Sequence, residues 1–327
     1  MSPPEEHHQR GSQNGTTPDP SVVRHSGPWQ HRDISANGIR FHIAEAGDGP
    51  LVLLLHGFGQ FWWSWRHQLT DLPAYGYRVV AVDLRGYGDT DNPPRGYDAF
   101  TLAGDISGLI RALGERDAVL VGTGFGGMTA FNTASIRPAQ VRAVVAIAAA
   151  HPLSLARLRW REIPGTYQGL LRLVRLPFFA ERKFAAGGGA GLEKLIRRGS
   201  GPAWAASAEF AQAMPRVRQA FRIAGATHAA VEHLRWVARS PWRSDGLRHR
   251  EALARRPVSA PVLHIGGQGD PVIPVSLLEE ARALCHGSYR QEWLRGIGHY
   301  PAEEAPAEVT ALLVHFLQEL EALPAGG

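Results

Sequence analysis

A regular alternation of short apolar runs with helical segments constrains the fold of this chain more than any other feature. Strands are predicted at residues 39–46, 51–55, 78–82, 118–121, 141–148, 262–265 and 290–294. Helices are predicted between and after them, at residues 62–74, 101–113, 126–135, 275–284 and 307–320. The run at 51–55 is apolar throughout, as expected of a strand covered on both faces. Strands that alternate with helices indicate an α/β fold with a mostly parallel, doubly wound sheet.

The alternation is interrupted once, by a helical and Arg-rich segment at residues 151–256. This segment holds 20 Lys and Arg against 7 Asp and Glu, so it carries +13 and the rest of the chain −8, within a total of +5. Because it follows the strand at 141–148, it would cover the carboxyl ends of the strands, where ligands bind in open α/β sheets. We therefore predict a helical lid at 151–256, broken at the glycines 187–189, on a core of residues 28–150 and 257–327.

The positive charge of this segment has more than one interpretation. A basic surface attracts nucleic acid, an anionic substrate or a membrane, but the solvated face of helices in an Arg-rich protein has the same composition. The sequence shows no helix-turn-helix signal, zinc finger or RNA-binding aromatic motif, and no run of about 18 apolar residues that would cross a membrane. We therefore favour a solvated helical face and expect no nucleic-acid or membrane partner.

The N-terminal residues 1–27 are polar and rich in Pro, Gly, His and Ser, without the apolar segment of a signal peptide. We predict a disordered tail there. The single cysteine, Cys285, excludes an internal disulfide and gives no sign of an oxidising compartment, so we expect a cytoplasmic protein. No His, Cys and Asp cluster has metal-ligand spacing, so neither a metal nor a cofactor is implied.

Two glycine-containing turns follow predicted strands. The first, His-Gly-Phe-Gly at residues 56–59, comes directly after the apolar strand. A strand that ends in such a turn can direct a backbone N–H at developing negative charge, and we assign this donor to Phe58. The second lies in the loop at 83–91, whose aspartates and glycines suit tight turns. We interpret that loop as structural.

The segment from residue 39 to about 106 resembles epoxide hydrolases of the α/β-hydrolase superfamily. In those enzymes a turn of the form Gly-His-Asp-Trp-Gly-Gly follows a strand and opens a helix, and residues 122–127 here read Gly-Thr-Gly-Phe-Gly-Gly. The nucleophile of that turn, Asp in epoxide hydrolases and Ser in esterases, is replaced by Gly124. Phe125 stands where the second oxyanion N–H donor of the family lies. The resemblance implies the α/β-hydrolase fold with an inserted helical lid.

The resemblance extends to two further motifs. Gly-Gly-Gln-Gly-Asp-Pro at residues 266–271 places the acid at Asp270. Gly-Ile-Gly-His-Tyr-Pro at residues 296–301, followed by Glu-Glu-Ala-Pro at 303–306, places the catalytic histidine at His299. The order of elbow, acid and histidine is that of the superfamily. In all, the resemblance covers roughly residues 30–150 and 255–320.

The lid resembles the family less closely. Epoxide hydrolases use two lid tyrosines to bind the epoxide oxygen, and Tyr167, the only tyrosine in residues 151–256, resembles the first. Its alternative role is that of a packing aromatic with a hydrated hydroxyl. No tyrosine corresponds to the second, but Trp236 lies in the expected stretch, and its indole could donate one hydrogen bond.

Two functional interpretations remain open, because glycine supplies no nucleophile for covalent catalysis. The neighbouring Thr123 would point elsewhere at a sharp elbow. In the first interpretation, His299 and Asp270 activate water in the space beside Gly124 and hydrolyse a small apolar epoxide or ester without a covalent intermediate. In the second, the protein is a catalytically inactive ligand-binding or scaffold protein. Either way the expected partner is a small apolar molecule, and the sequence leaves the oligomeric state open.

Overall fold

The computed structural model of the chain describes residues 17–157 and 165–322. Its strands are β1 Gln30–Ala36, β2 Ile39–Ala46, β3 Leu51–Leu55, β4 Arg78–Val82, β5 Ala118–Thr123, β6 Val141–Ile147, β7 Val262–Gly267 and β8 Tyr289–Leu294. They form one eight-stranded sheet in the order β1-β2-β4-β3-β5-β6-β7-β8. The pairs β1–β2 and β2–β4 are antiparallel, and all other neighbours are parallel. The predicted, mostly parallel α/β sheet is confirmed.

Each of the five helices predicted outside the insertion has a counterpart in the structure, with different bounds. The helices of the structure are α1 Arg66–Asp71, α2 Ala99–Ala112, α3 Phe125–Ile136, α4 Pro152–Arg157, α5 Gly165–Arg175, α6 Phe179–Gly199, α7 Pro202–Ala205, α8 Ala208–Ala220, α9 Ala226–Arg239, α10 Ser244–Arg255, α11 Val275–Glu280, α12 Pro301–Glu304 and α13 Pro306–Ala322. The single helix predicted at 62–74 is a 3₁₀ turn, the short α1 and a second 3₁₀ turn. Pro73 sits at the start of the last turn, where it lacks the N–H that would continue the α-helix.

The core lies around β3, whose five residues are all buried, and around the neighbouring parallel strands. Helix α3 packs on β5 and β6 and against α2, while α1 packs on β4 and against α13. The strand β1 was not predicted because its sequence is mostly polar and exposed, with only Ile34 and Ala36 buried. The turn that joins it to β2 has positive φ at Asn37 (47°) and Gly38 (81°), as a two-residue hairpin requires.

The expectation of a disordered tail up to residue 27 is wrong for the part that the structure describes. Residues Pro20–Val23 form a 3₁₀ turn, and Val23 is buried. The indole of Trp62 donates to the carbonyl of Val23 at 2.9 Å. Arg24 forms ion pairs with Asp33 at 2.7 Å and with Asp89 at 2.6 Å. These contacts order a segment that its polar composition alone had led us to expect to be disordered. Residues 1–16 lie outside the described residues.

Between β6 and β7, the described residues form helices and no strand. We call residues 152–255 the helical insertion. Helix α5 packs on α9, and α6 packs on α8 and α9. The predicted break occurs inside α6, where Gly187, Gly188 and Gly189 have φ of 60°, 64° and 94°. None of the helices within 17–157 and 165–322 has the length and apolar character that a membrane span needs.

Candidate active site

Four of the predicted site residues come directly after strands of the parallel sheet. Phe58 follows β3, Gly124 follows β5, Asp270 follows β7 and His299 follows β8. The carboxyl ends of parallel strands meet at one edge of the sheet, so residues far apart in sequence are brought together there. Phe58, Gly124 and His299 line one cavity at this edge, and the Asp270 carboxylate is bonded to the His299 ring.

Gly124 is the residue at which β5 turns into α3. Its backbone has φ 48° and ψ −111°, a conformation that side-chain-bearing residues rarely adopt. Its N–H donates to the carbonyl of Ile147 at 2.8 Å, and its carbonyl accepts from Met128 N–H at 3.1 Å. A Cβ on Gly126 would lie 2.1 Å from the carbonyl oxygen of Leu55, so this turn can pack on β3 only without a side chain there. The sharp elbow expected from the glycines is present.

The hydroxyl of Thr123 does not reach the cavity. It donates to Oε1 of Gln60 at 3.0 Å, and the same oxygen accepts the N–H of Gly57 at 3.0 Å. Thr123 is buried, with 3% of its surface exposed. The Thr123 side chain therefore points away from the cavity, as expected at a sharp elbow, and it stabilises the turn after β3.

His299 and Asp270 are hydrogen-bonded through Nδ1 and Oδ2 at 2.8 Å. The other carboxylate oxygen of Asp270 accepts two backbone N–H groups, from Val272 at 2.7 Å and Ile273 at 3.1 Å, which fix its orientation. An ionised carboxylate only accepts, so Nδ1 of the ring carries the proton and Nε2 is left as the base. A Cβ placed on Gly124 would be 3.4 Å from Nε2.

The pKa of His299 is raised above its ordinary value of 6.5. Burial alone would lower it, but the charge and hydrogen bond of Asp270 and the charge of Glu304 together outweigh burial. Glu304 also fixes the loop that carries the histidine, because its carboxylate accepts from the N–H groups of Gly298 and Gly201 at 2.8 Å and of Tyr300 at 3.0 Å. No role for Glu304 was predicted from the sequence, where it follows the histidine motif.

The two predicted oxyanion donors are backbone N–H groups on different elements. Phe58 lies in the turn after β3, and Phe125 is the first residue of α3. Within the residues that the structure describes, neither N–H donates to a protein acceptor. The Phe58 ring packs on Phe184 of the insertion, with ring centroids 5.6 Å apart. Both donors are therefore free to bind a ligand oxygen.

A cavity of about 70 Å³ lies beside Gly124. Tyr167 of α5 lines it and is buried, and burial raises the pKa of its hydroxyl. That hydroxyl forms no hydrogen bond to any described residue. Tyr300, which the sequence analysis did not select, also lines the cavity, and burial raises its pKa. Apart from these two tyrosines and His299, the lining residues are apolar: Phe58, Gly124, Phe125, Met128, Ala148, Ala149, Ala150, Leu170, Leu195, Leu234, Val237, Val272 and Ile273.

The prediction that Trp236 contacts the substrate beside Gly124 is wrong in this structure. Its indole N–H donates to Asp245 at 3.2 Å, and its ring lines a different cavity. Residues of α9 that do line the Gly124 cavity are Leu234 and Val237, three positions apart on one face of the helix. Each residue turns an α-helix by 100°, so a side chain one position away points elsewhere. Both residues of that face are apolar.

One cluster of metal-ligating side chain types lies outside this cavity. Glu181, His228 and Glu232 offer ligand atoms within 4.8 Å of one another. The guanidinium of Arg235 bonds both Glu181, at 2.9 Å, and Glu232. The arginine supplies the positive charge that these two carboxylates need.

Comparison with known proteins agrees with the geometry. Residues 50–306 match the family described as alpha/beta hydrolase fold. Epoxide hydrolase 2 of Siraitia grosvenorii is 30% identical over 330 residues, covering 89% of this chain and 98% of the relative. Epoxide hydrolase A of Mycobacterium tuberculosis (strain ATCC 25618 / H37Rv) is also 30% identical, with 89% and 98% covered.

Solved structures give the same assignment. An epoxide hydrolase from an endophytic Streptomyces superposes with a TM-score of 0.75 at 28% identity, covering 90% of this chain and 97% of that chain. Epoxide hydrolase A from Mycobacterium thermoresistibile superposes with a TM-score of 0.74 at 29% identity, covering 89% and 98%. This chain therefore belongs to the α/β-hydrolase fold family, and its relatives include epoxide hydrolases that it matches along nearly their whole length.

Proposed function

We propose that this protein hydrolyses a small apolar epoxide or ester with water as the attacking nucleophile and without a covalent intermediate. The observation that carries the proposal is the approach of His299 to the elbow, where a Cβ on Gly124 would lie 3.4 Å from Nε2. In this proposal Gly124 occupies the position of the side-chain nucleophile of the relatives. Because glycine has no nucleophilic atom, the base acts on water instead.

For an ester, neutral His299 takes a proton from water at Nε2 while the water oxygen bonds to the carbonyl carbon. The N–H groups of Phe58 and Phe125 stabilise the charge that develops on the carbonyl oxygen. The imidazolium, paired with Asp270, then donates its proton to the alcohol oxygen as the C–O bond breaks. The acid and the alcohol leave without having been bonded to the protein.

For an epoxide, the water oxygen bonds to one ring carbon as the C–O bond on that carbon breaks. The hydroxyl of Tyr167, which burial keeps protonated at neutral pH, donates its proton to the ring oxygen. His299 takes the proton lost by water and returns it to the tyrosine through solvent, so that the product is a diol. The helical insertion, which carries Tyr167, acts as a lid over the reacting groups.

The second candidate is a ligand-binding or scaffold protein without catalytic activity. The observation that favours it is the absence of a side chain at Gly124 combined with a cavity whose walls are almost entirely apolar. Such a cavity binds an apolar molecule whether or not chemistry follows. The two candidates differ in the role of His299, which is a base in the first and a wall residue in the second.

The test is a panel of epoxides and esters, including styrene oxide and phenyl acetate, with product detected by mass spectrometry. The variant His299→Ala removes the base, and His315→Ala, an exposed histidine on α13, is the matched control. We expect wild-type turnover that falls about 10²- to 10⁴-fold in His299→Ala and is unchanged in His315→Ala. The denatured protein should carry no covalent adduct.

Three outcomes would contradict the hydrolase proposal. Wild-type turnover that persists in His299→Ala would exclude His299 as the base. An adduct on the wild-type protein would exclude direct attack by water. An absence of turnover across the panel, with ligand affinity unchanged in His299→Ala, would establish the second candidate.

A further inference from the structure

A second cavity lies in the helical insertion and against the core, next to the one beside Gly124. It has a volume of about 210 Å³. Phe125, Met128 and Val237 line both cavities, so one layer of side chains separates them. Nothing in the proposed hydrolysis uses this second space.

The charged side chains that line the second cavity are arginines. Its lining includes Arg175 and Arg250 and no Asp or Glu of the described residues. Arg175 is held by the carbonyl of Ala238 at 2.9 Å and lies over the ring of Trp242. Arg250 forms one hydrogen bond, to the carbonyl of Pro241 at 3.3 Å, and no ion pair with a described residue. Its charge is therefore uncompensated at this wall.

A second donor lies on the same wall. His249 is buried, and burial lowers its pKa to about 4, so the ring is neutral at neutral pH. Its Nε2 is 2.8 Å from Oδ1 of Asn132 and donates to it. The amide N–H₂ group of Asn132 then has no acceptor among the described residues. Donors without acceptors at a cavity wall favour a ligand that brings an acceptor.

The carboxylates around this cavity have other partners. Asp245 accepts from the indole of Trp236 at 3.2 Å and from Arg243 at 3.1 Å. Asp98 caps α2, accepting from the N–H groups of Phe100 and Thr101 at 3.0 Å. Neither forms an ion pair with Arg250. The remaining walls are apolar, formed by side chains such as Leu102, Met128, Leu155 and Leu171.

We propose that the second cavity binds an amphipathic monocarboxylate: its carboxylate pairs with Arg250 and its hydrocarbon chain packs on the apolar walls of the same cavity. This assigns a role to part of the positive charge of the insertion. The inference does not depend on the hydrolysis proposed beside Gly124.

The test measures binding and not turnover, so it is independent of hydrolysis. Decanoate is titrated into the full-length protein by calorimetry, with decanamide as the neutral ligand of the same length and a planar polar end. Arg250→Gln removes the charge, and Arg248→Gln, an exposed residue two positions earlier on α10, is the matched control. We expect decanoate to bind about tenfold more tightly than decanamide, and this preference to be lost in Arg250→Gln and kept in Arg248→Gln.

A blocking variant tests the location. Ala156 lines the second cavity and not the first, and Ala156→Trp should weaken decanoate and decanamide alike. Equal binding of the two ligands to the wild type would overturn the proposal. A preference that Arg250→Gln and Arg248→Gln reduce equally would also overturn it, because it would reflect the overall charge. If turnover on the substrate panel is absent but the Arg250 effect is found, the hydrolase proposal fails and the anionic subsite stands.

Discussion

The carboxylate of Asp270 holds the imidazole of His299 through a 2.8 Å hydrogen bond to Nδ1, and Nε2 faces Gly124. The two residues are 29 positions apart in sequence and follow neighbouring strands of the sheet. This pair fixes which nitrogen is available as a base. Three properties of this site can be measured separately: the pH dependence of turnover, the effect of a side chain restored at position 124, and the cost of the Gly124 backbone conformation.

The first prediction concerns the pH dependence of turnover. The base is neutral His299, whose pKa lies above 6.5 because Asp270 stabilises the imidazolium. The neutral fraction grows as pH rises, so kcat/KM should increase through a midpoint above 6.5. Asp270→Asn removes the charge, so the midpoint should move to lower pH while the plateau falls about 10²- to 10⁴-fold. A pH–rate profile checks both, and a midpoint unmoved in Asp270→Asn would contradict the assignment.

The second prediction restores a nucleophile. Gly124→Asp places a carboxylate where it can attack an epoxide carbon, with His299 left to activate the water that hydrolyses the ester intermediate. We expect epoxide turnover to rise by about tenfold or more, and an adduct of protein plus epoxide to appear by mass spectrometry after rapid quenching. Gly124→Ala is the matched control, since it adds a side chain without a nucleophile. A gain in Gly124→Ala equal to that in Gly124→Asp would exclude covalent catalysis as its cause.

The third prediction concerns stability at the elbow. Gly124 has φ 48° and ψ −111°, which costs a residue with a side chain about 1–3 kcal/mol. Gly124→Ser should therefore lower the free energy of unfolding by about that amount in a urea titration. Gly169→Ser is the control, because no atom lies within 4 Å of a Cβ built there and its φ is not positive. A Gly124→Ser variant as stable as the wild type would show that the backbone is not strained.

The fourth prediction concerns an ion pair beneath the loop that follows β4. Arg85 bonds Asp105 of α2 through two nitrogen atoms, at 2.7 and 2.6 Å, and both side chains are buried. Asp105→Ala leaves Arg85 charged and unpaired, so the free energy of unfolding should fall by about 3–5 kcal/mol. Glu251→Ala breaks the exposed pair with Arg255 and should cost no more than about 0.5 kcal/mol. If Asp105→Ala and Glu251→Ala lowered the free energy of unfolding equally, burial would not explain the contribution of the Arg85–Asp105 pair.

The local sequence pattern predicted the elements whose apolar residues form one clear pattern. Strand β3 was predicted with its observed bounds because a run of five apolar residues can be buried on both faces only in the middle of a sheet. Strand β1 was missed because its polar residues face solvent and only its pairing with β2 makes it a strand. Likewise, the polar residues 17–27 are ordered through Val23 and Arg24, whose partners lie far along the chain.

The sequence by itself determined the parallel part of the sheet, and its resemblance to epoxide hydrolases implied the elbow at Gly124 and the Asp270–His299 pair. These residues meet in the structure because turns at the carboxyl ends of parallel strands lie at one edge of the sheet. Tertiary structure decided which side chains of the insertion face the cavity. Leu234 and Val237 do and Trp236 does not, because the rotation of α9 is fixed by packing against α5 and α6 and not by the identity of any one residue. The second cavity with Arg250 also exists only in three dimensions, since its walls come from α2 and α3 before β6 and from helices of the insertion after β6, and no local pattern brings them together.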